Sequence, residues 1–219
     1  MNNHVVGLTL TEENLPAASA ALAKLDPVMH ELFTAQGVPP LWRREPGFAT
    51  LVHIILEQQV SLASGQAAFD RLCTAIPRMD PKSFLTLDDA HLKTIGFSRQ
   101  KAGYCRALAQ SMLDKKVDLE NIATLPDDDA RTTLIFIKGV GSWTAEIYLL
   151  MSLCRADIWP TGDLALINAA QKLYMNNEKL TSDRLAKIAE CWQPYRAVAA
   201  RMLWQYYLGN PQFFKRMKT

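Results

Sequence analysis

Gly139-Val140-Gly141 stands between two segments of helical spacing, Asp128 to Ile137 and Ser142 to Leu153. A chain with that pattern has to reverse sharply between helices, because glycine tolerates positive φ and close backbone approach. A helix starting at Ser142 would leave its first N–H groups unpaired and carry the positive end of its dipole, which suits a phosphate oxygen. On the tripeptide alone, a simple joint between two packed helices is the favoured reading. Asp163 lies 20 residues beyond Trp143, at the end of Trp159-Pro160-Thr161-Gly162-Asp163 and ahead of the apolar run Leu164-Ala165-Leu166-Ile167. That arrangement delivers an N-cap carboxylate to a helix start. N-cap aspartates are usually structural, so position alone does not argue catalysis.

The rest of the chain repeats the helical pattern. No long segment alternates apolar and polar residues, and Gly and Pro number only 10 and 11, so an all-α fold is expected. With 219 residues, 49% of them apolar, the chain can bury a sizeable core as one compact unit. Helices are predicted from an alanine-rich segment ending near Leu25, from Pro27 to about Ala35, from Pro46 to Gln59, and from Leu62 to about Ile76. A short helix at Leu87 to Ile95 leads through Gly96 to an N-cap at Ser98 and a helix from Arg99 to about Leu113. Beyond Asp163, one helix reaches about Tyr174, Asn176-Asn177 turns the chain, Thr181-Ser182-Asp183 opens another, and the last runs from Cys191 to Tyr207. Arg99, Lys101 and Arg106 read as a solvated face, and Trp42, beside Arg43 and Arg44, reads as a core cover or a ring that stacks on a base.

A net charge of +2 permits a nucleic-acid partner without announcing one, so any DNA-binding face must be local. Lys215, Arg216 and Lys218 form a small basic cluster that solvation alone would explain. Cys73, Cys105, Cys154 and Cys191 are too widely spaced for a zinc site or cluster, and His4, His30, His53 and His91 are equally scattered, so neither a metal nor another cofactor is expected. The cysteines read as reduced and mostly buried. The amino terminus lacks the layout of a secretion signal and no window is long enough to span a bilayer, which points to an unexported protein of a bacterial cytoplasm or a nucleus.

Taken in order, Ile137-Lys-Gly-Val-Gly-Ser-Trp-Thr-Ala145, a helix, and Pro160-Thr-Gly-Asp-Leu164 closely resemble the helix-hairpin-helix DNA glycosylases, specifically their alkylpurine branch that includes the 3-methyladenine DNA glycosylase II enzymes. The resemblance extends from about Phe48 to Leu208, including Leu56 to Ala63, the Ile95-Gly-Phe-Ser98 turn, and Trp192-Gln-Pro-Tyr-Arg196 with Trp204. It implies one glycosylase domain over 1–219, with the helix-hairpin-helix at about 128–153, in a two-lobed all-α fold whose active site lies in the cleft between lobes.

An enzyme that removes a damaged base must first flip it out of the duplex, at about a few kcal/mol of stacking and pairing. Under the resemblance, Gly139, Val140, Gly141 and Ser142 bind the DNA backbone, Gln58 and Gln59 enter the vacated stack, and Trp143, Tyr148 and Trp204 receive the base. The family's plug falls on Gln59, where the alkylpurine branch typically has an apolar wedge. Asp163 is the expected catalytic carboxylate, which would stabilise positive charge that develops on the sugar. Bifunctional relatives carry a lysine where this chain has Trp143, so the resemblance implies a monofunctional hydrolase without lyase activity. Ile147 replaces a pocket aromatic of some relatives. The expected partner is double-stranded DNA bearing alkylated purines such as 3-methyladenine or 7-methylguanine, with a monomer as the default state. 1-Methyladenine, ethenoadenine and hypoxanthine remain open as bases. Two further readings are a non-catalytic helix-hairpin-helix module, which would need the glycines but not Asp163, and an all-α scaffold without nucleic acid.

Overall fold

Helix starts in this chain are written locally. The computed structural model describes residues 7–175 and 178–210, and eight of its helices open on an Asp, Ser or Thr whose side chain accepts a first-turn N–H. The order is α1 (Leu15–Leu25), α2 (Pro27–Gln36), α3 (Phe48–Glu57), α4 (Leu62–Ala75), α5 (Pro81–Phe84), α6 (Asp89–Ile95), α7 (Arg99–Leu113), α8 (Leu119–Thr124), α9 (Asp127–Ile135), α10 (Ser142–Met151), α11 (Leu164–Tyr174), α12 (Ser182–Ala189) and α13 (Arg196–Gly209). Among the described residues the fold is all-α, and its β-pairing is an isolated bridge between Thr9 and Arg155. The expected Asn176-Asn177 turn, His4 and the Lys215, Arg216 and Lys218 cluster lie outside the described residues.

Three expectations needed adjustment. α3 is shorter than Pro46 to Gln59, because Gly47 takes φ +133° before it and Gln58 turns extended after it. The short α5 and α8 were not anticipated from the apolar spacing. The last helix begins at Arg196 rather than Cys191, since Pro194 interrupts the ladder and residues 190–192 form a 3₁₀ turn that buries Trp192 completely. Of the cysteines, Cys105 and Cys154 are buried whereas Cys73 and Cys191 are exposed.

The described residues fall into two compact units. Arg44–Leu153 holds α3 to α10, with α3 at its centre, packed against α4, α7 and α10. Nine of the ten α3 residues from Phe48 to Glu57 are buried, which explains why that stretch is apolar on nearly every side. The second unit joins Gly7–Arg43 to the chain from Cys154 onward and contains α1, α2, α11, α12 and α13.

The second unit draws on distant stretches of sequence, and Asp26 ties them. Its Oδ1 accepts the Val28 and Met29 N–H groups at 2.8 and 3.2 Å, capping α2. Its Oδ2 accepts Trp192 Nε1–H at 2.8 Å and the Tyr174 hydroxyl at 2.9 Å. Burial and the adjoining Asp26 push the Tyr174 phenol far above its ordinary value, so it remains a donor. Trp192 also packs edge-on against Trp159, with ring centroids 5.3 Å apart, and Trp159 precedes the turn that leads to Asp163. Asp26→Asn would turn an NH₂ toward donors that are already buried or partly buried, so it should lower unfolding stability by about 1–3 kcal/mol in a denaturant titration.

Candidate nucleic-acid interface and active-site residues

The turn between α9 and α10 is fixed from inside. Ile137 and Val140 are buried, and the Val140 N–H donates to Ile137 O at 2.9 Å, which pins the loop while Lys138, Gly141 and Ser142 stay exposed. Gly139 takes φ +89°, and a Cβ there would collide with the ring of Tyr104 on α7. Glycine is therefore required twice at this position, by conformation and by contact. Gly141 is the N-cap of α10 with extended backbone, and no side chain caps that helix. Below the turn, Arg131 of α9 reaches the buried Glu146 of α10 at 3.7 Å, joining the two helices of the hairpin.

The end of α3 meets this hairpin. Gln58 donates through Nε2 to Gly139 O at 3.0 Å and to Thr144 Oγ1 at 2.9 Å. Gln59 follows with φ +55° and is exposed, beside the exposed Val60 and Leu62. The two glutamines thus differ: Gln58 is committed to the hairpin, and Gln59 projects from a left-handed backbone that L-residues seldom adopt.

Three contacts hold that projecting turn, none of them legible as a motif. Arg44 forms a bidentate pair with the buried Glu57 at 2.9 and 2.8 Å. Lys101 is not on a solvated face; its Nζ donates to Leu56 O at 2.7 Å, satisfying a last-turn carbonyl of α3. Burial lowers the Lys101 pKa, with the nearby Cys105 opposing. Gly65 lets α4 approach closely, since a Cβ would lie 2.8 Å from Glu57 Cγ. The one sequence signal was His53 and Glu57 at i, i+4 on an otherwise apolar helix.

His53 stacks on Phe69 with centroids 4.2 Å apart, and its Nε2 lies 3.4 Å from Glu57 Oε1. Glu57 attracts a proton to the ring and Asp70 adds to this, but burial, reinforced by Arg44, outweighs both and lowers the His53 pKa.

Tyr148, expected to line a base pocket, is instead wholly buried in the core of its unit, where its hydroxyl accepts the Gly47 N–H at 3.0 Å. Helix geometry explains this, because position 148 falls on the face of α10 turned toward α3. Trp143 occupies the first turn of α10 and is half-buried.

In the second unit, Asp163 caps α11 as expected. Gly162 at φ +81° turns the chain, and Asp163 Oδ1 accepts the Leu166 N–H at 3.0 Å and Trp204 Nε1–H at 3.3 Å. The carboxyl group is half-buried, while the following Leu164 is 73% exposed. Trp204 is buried and meets Trp42 edge-on, with centroids 6.5 Å apart and planes at 69°. Structure therefore brings Asp163, Trp204 and Trp42 together in one unit, and Gln58 together with the glycine hairpin in the other.

Comparison with known proteins gives the family and the fold. Residues 52–194 match the model of the HhH-GPD superfamily of base excision DNA repair proteins. The chain belongs to that superfamily. It is 29% identical over 160 residues to the alkylbase DNA glycosidase-like protein mag2 of Schizosaccharomyces pombe, covering 71% of this chain and 75% of that protein. It is 26% identical to DNA-3-methyladenine glycosylase 1 of the same yeast, covering 74% and 73%. Among solved structures, the DNA-3-methyladenine glycosidase of Bacillus halodurans superposes with a TM-score of 0.76 at 25% identity, covering 93% of each chain. The S. pombe 3-methyladenine glycosylase Mag1, solved in complex with abasic DNA, gives 0.78 at 25% identity, covering 86% of this chain and 95% of that one.

Two outcomes test the HhH-GPD hairpin and its support. Gly139→Ala should cost about 1–3 kcal/mol of stability from the left-handed φ alone, and more through Tyr104, as read by chemical denaturation. His53 has a folded pKa below its unfolded value, so its contribution to stability is complete above about pH 6.5 and is lost as pH falls from there through the folded pKa. His53→Gln should flatten that segment of the stability–pH curve.

Proposed function

We propose that this chain is a monofunctional DNA glycosylase that excises alkylated purines, with Asp163 as its catalytic carboxylate. The observation that carries the reading is the setting of Asp163: a carboxyl group at a helix N-terminus, oriented by the Leu166 N–H and the Trp204 indole, in a member of a base excision repair superfamily. Several relatives are 3-methyladenine glycosylases by name, which supports alkylpurines as the substrate class.

The chemistry fits such a site. As the bond from C1′ to the purine nitrogen breaks, its electron pair leaves with the base and positive charge develops on the sugar. An ionised carboxylate beside C1′ stabilises that charge. Water then adds to C1′, and its proton is taken up by the carboxylate or solvent. A 3-methyladenine or 7-methylguanine nucleotide already carries positive charge on the base, so the base departs neutral and needs no acid. One carboxylate suffices for that task.

The remaining residues take complementary roles. The backbone at Gly139, Val140, Gly141 and Ser142 holds a DNA phosphate, using the uncapped start of α10. Gln59 fills the gap left by the flipped nucleotide, and Gln58 acts as its strut by bonding to the hairpin. Trp143 stands where an amine would be needed to form a Schiff base, so hydrolysis ends at an intact abasic site.

Asp163→Asn should reduce release of methylated purines from alkylated duplex DNA by at least about a hundredfold, in line with loss of one electrostatic stabiliser, while DNA affinity in a parallel titration stays near wild type. Loss of binding alongside activity, or no release by the wild type, would favour the non-catalytic module. Borohydride treatment of wild type on abasic duplex should trap no covalent complex; a trapped band would overturn the monofunctional assignment.

A further inference from the structure

α13 opens without a side-chain cap, and a loop takes that part. The Ala197 N–H, in the first turn, donates to Ala156 O at 2.9 Å. Beside it Arg196 grips Asp157: Nε donates to Oδ1 at 2.8 Å, and Nη2 donates to Oδ2 and to the main-chain O, both at 3.0 Å. Ala156 and Asp157 begin the irregular stretch that ends at Asp163, and Asp163 is held by the same helix through Trp204 Nε1–H. Arg196 is the closing residue of the Trp192-Gln-Pro-Tyr-Arg196 segment.

Two anchors on one helix thus define where the loop starts and where it ends. Arg196 and Trp204 are eight residues apart, which is about 12 Å of helix. Asp163 follows Asp157 by six residues, and an extended chain of that length reaches about 20 Å. The loop therefore has slack, and Asp163 has a defined place only if the entry to the loop has one. Trp159, packed on Trp192, fixes the middle. The Arg196 fork fixes the direction in which the chain enters, because a planar bidentate pair sets orientation as well as distance.

The pair adds little to folding. The side chains of Arg196 and Asp157 keep 27% and 28% of their surface, and ion pairs open to water contribute little to stability. Aim matters more, since misplacing a catalytic group by about 1 Å can cost about a hundredfold in rate. We infer that Arg196 is a positioning residue for glycosidic bond cleavage, acting through Asp157 on the entry of the loop that delivers Asp163. The inference rests on the glycosylase activity proposed for this chain.

A double-mutant cycle tests whether Arg196 acts through Asp163. Single-turnover release of methylated purines from alkylated duplex DNA is measured for wild type, Arg196→Met, Asp163→Asn and the double variant, with spontaneous release subtracted. Arg196→Met should slow release about tenfold or more, while its unfolding midpoint and its affinity for a duplex holding a tetrahydrofuran abasic analogue stay near wild type. Arg196→Lys should recover only part of the rate, since an ammonium cannot hold carboxylate and carbonyl as a planar fork does. In the Asp163→Asn background, Arg196→Met should cost less than about twofold, because the carboxylate it positions is gone. Equal losses in both backgrounds, or none in either, would overturn the inference. Where Asp163→Asn releases too little to read, the indole N–H resonance of Trp204 decides, because it reports the bond to Asp163. That resonance should move on Arg196→Met while the one from Trp192, bound to Asp26, stays in place; an unmoved Trp204 resonance overturns the inference. Should Arg196→Met fail to fold, as read by circular dichroism, Asp157→Asn replaces it in every arm. A wild type that releases no methylated purine overturns the glycosylase reading and the inference with it, whereas release by wild type with no effect of Arg196→Met overturns the inference alone.

Discussion

A single buried carboxyl group holds together the unit that carries Asp163. Asp26 accepts two backbone N–H groups of α2, the Trp192 indole and the Tyr174 hydroxyl, and the last two lie 166 and 148 residues away in the chain. A buried polar group with that many matched donors is stable only when all of them arrive, so it selects one arrangement of α2, α11 and the 190–192 turn. Trp192 in turn packs on Trp159, and Trp159 leads into the Gly162 turn that aims Asp163. The candidate catalytic group is therefore positioned by a chain of contacts that begins in the core.

The other unit solves a different problem, namely how to expose a strained turn without losing it. Gln59 has a backbone conformation that only its surroundings can maintain, and those surroundings are polar groups placed at the end of an apolar helix. Glu57 is neutralised by Arg44, the Leu56 carbonyl is satisfied by Lys101, and Gln58 is fastened to the hairpin. Each removes a buried unpaired group that would otherwise favour rearrangement. The hairpin and the turn share Gln58 as a common member, so a displacement of one is felt by the other.

The readable parts of this protein were those coded within a few residues. Asp163 announced itself as a cap because a Gly-Asp pair precedes an apolar run, and Ser98 and Gly96 bounded their helices for similar local reasons. Glycine at 139 signalled a turn, although the second reason for it, the ring of Tyr104, was not visible from spacing. Lys101 was misread as solvated because its helix position shows only which way the stem leaves, not that the carbonyl of Leu56 lies within its reach. The full burial of Tyr148 is equally hidden in the sequence, because aromatic identity does not reveal which neighbour covers the ring.

The sequence by itself determined the helical class, most helix starts, the glycine hairpin and the Asp163 cap, since these follow from backbone preference and from side chains that bond to their own neighbourhood. Only the tertiary structure decided that Gln58 and Gln59 do different work, that Arg44 and Lys101 secure the turn between them, and that Trp42 stands beside Trp204 and Asp163. Those partners are separated by 13 to 162 residues, and no local rule links positions so far apart. Their proximity comes from burial of apolar helix faces, which fixes where the polar groups between them must meet.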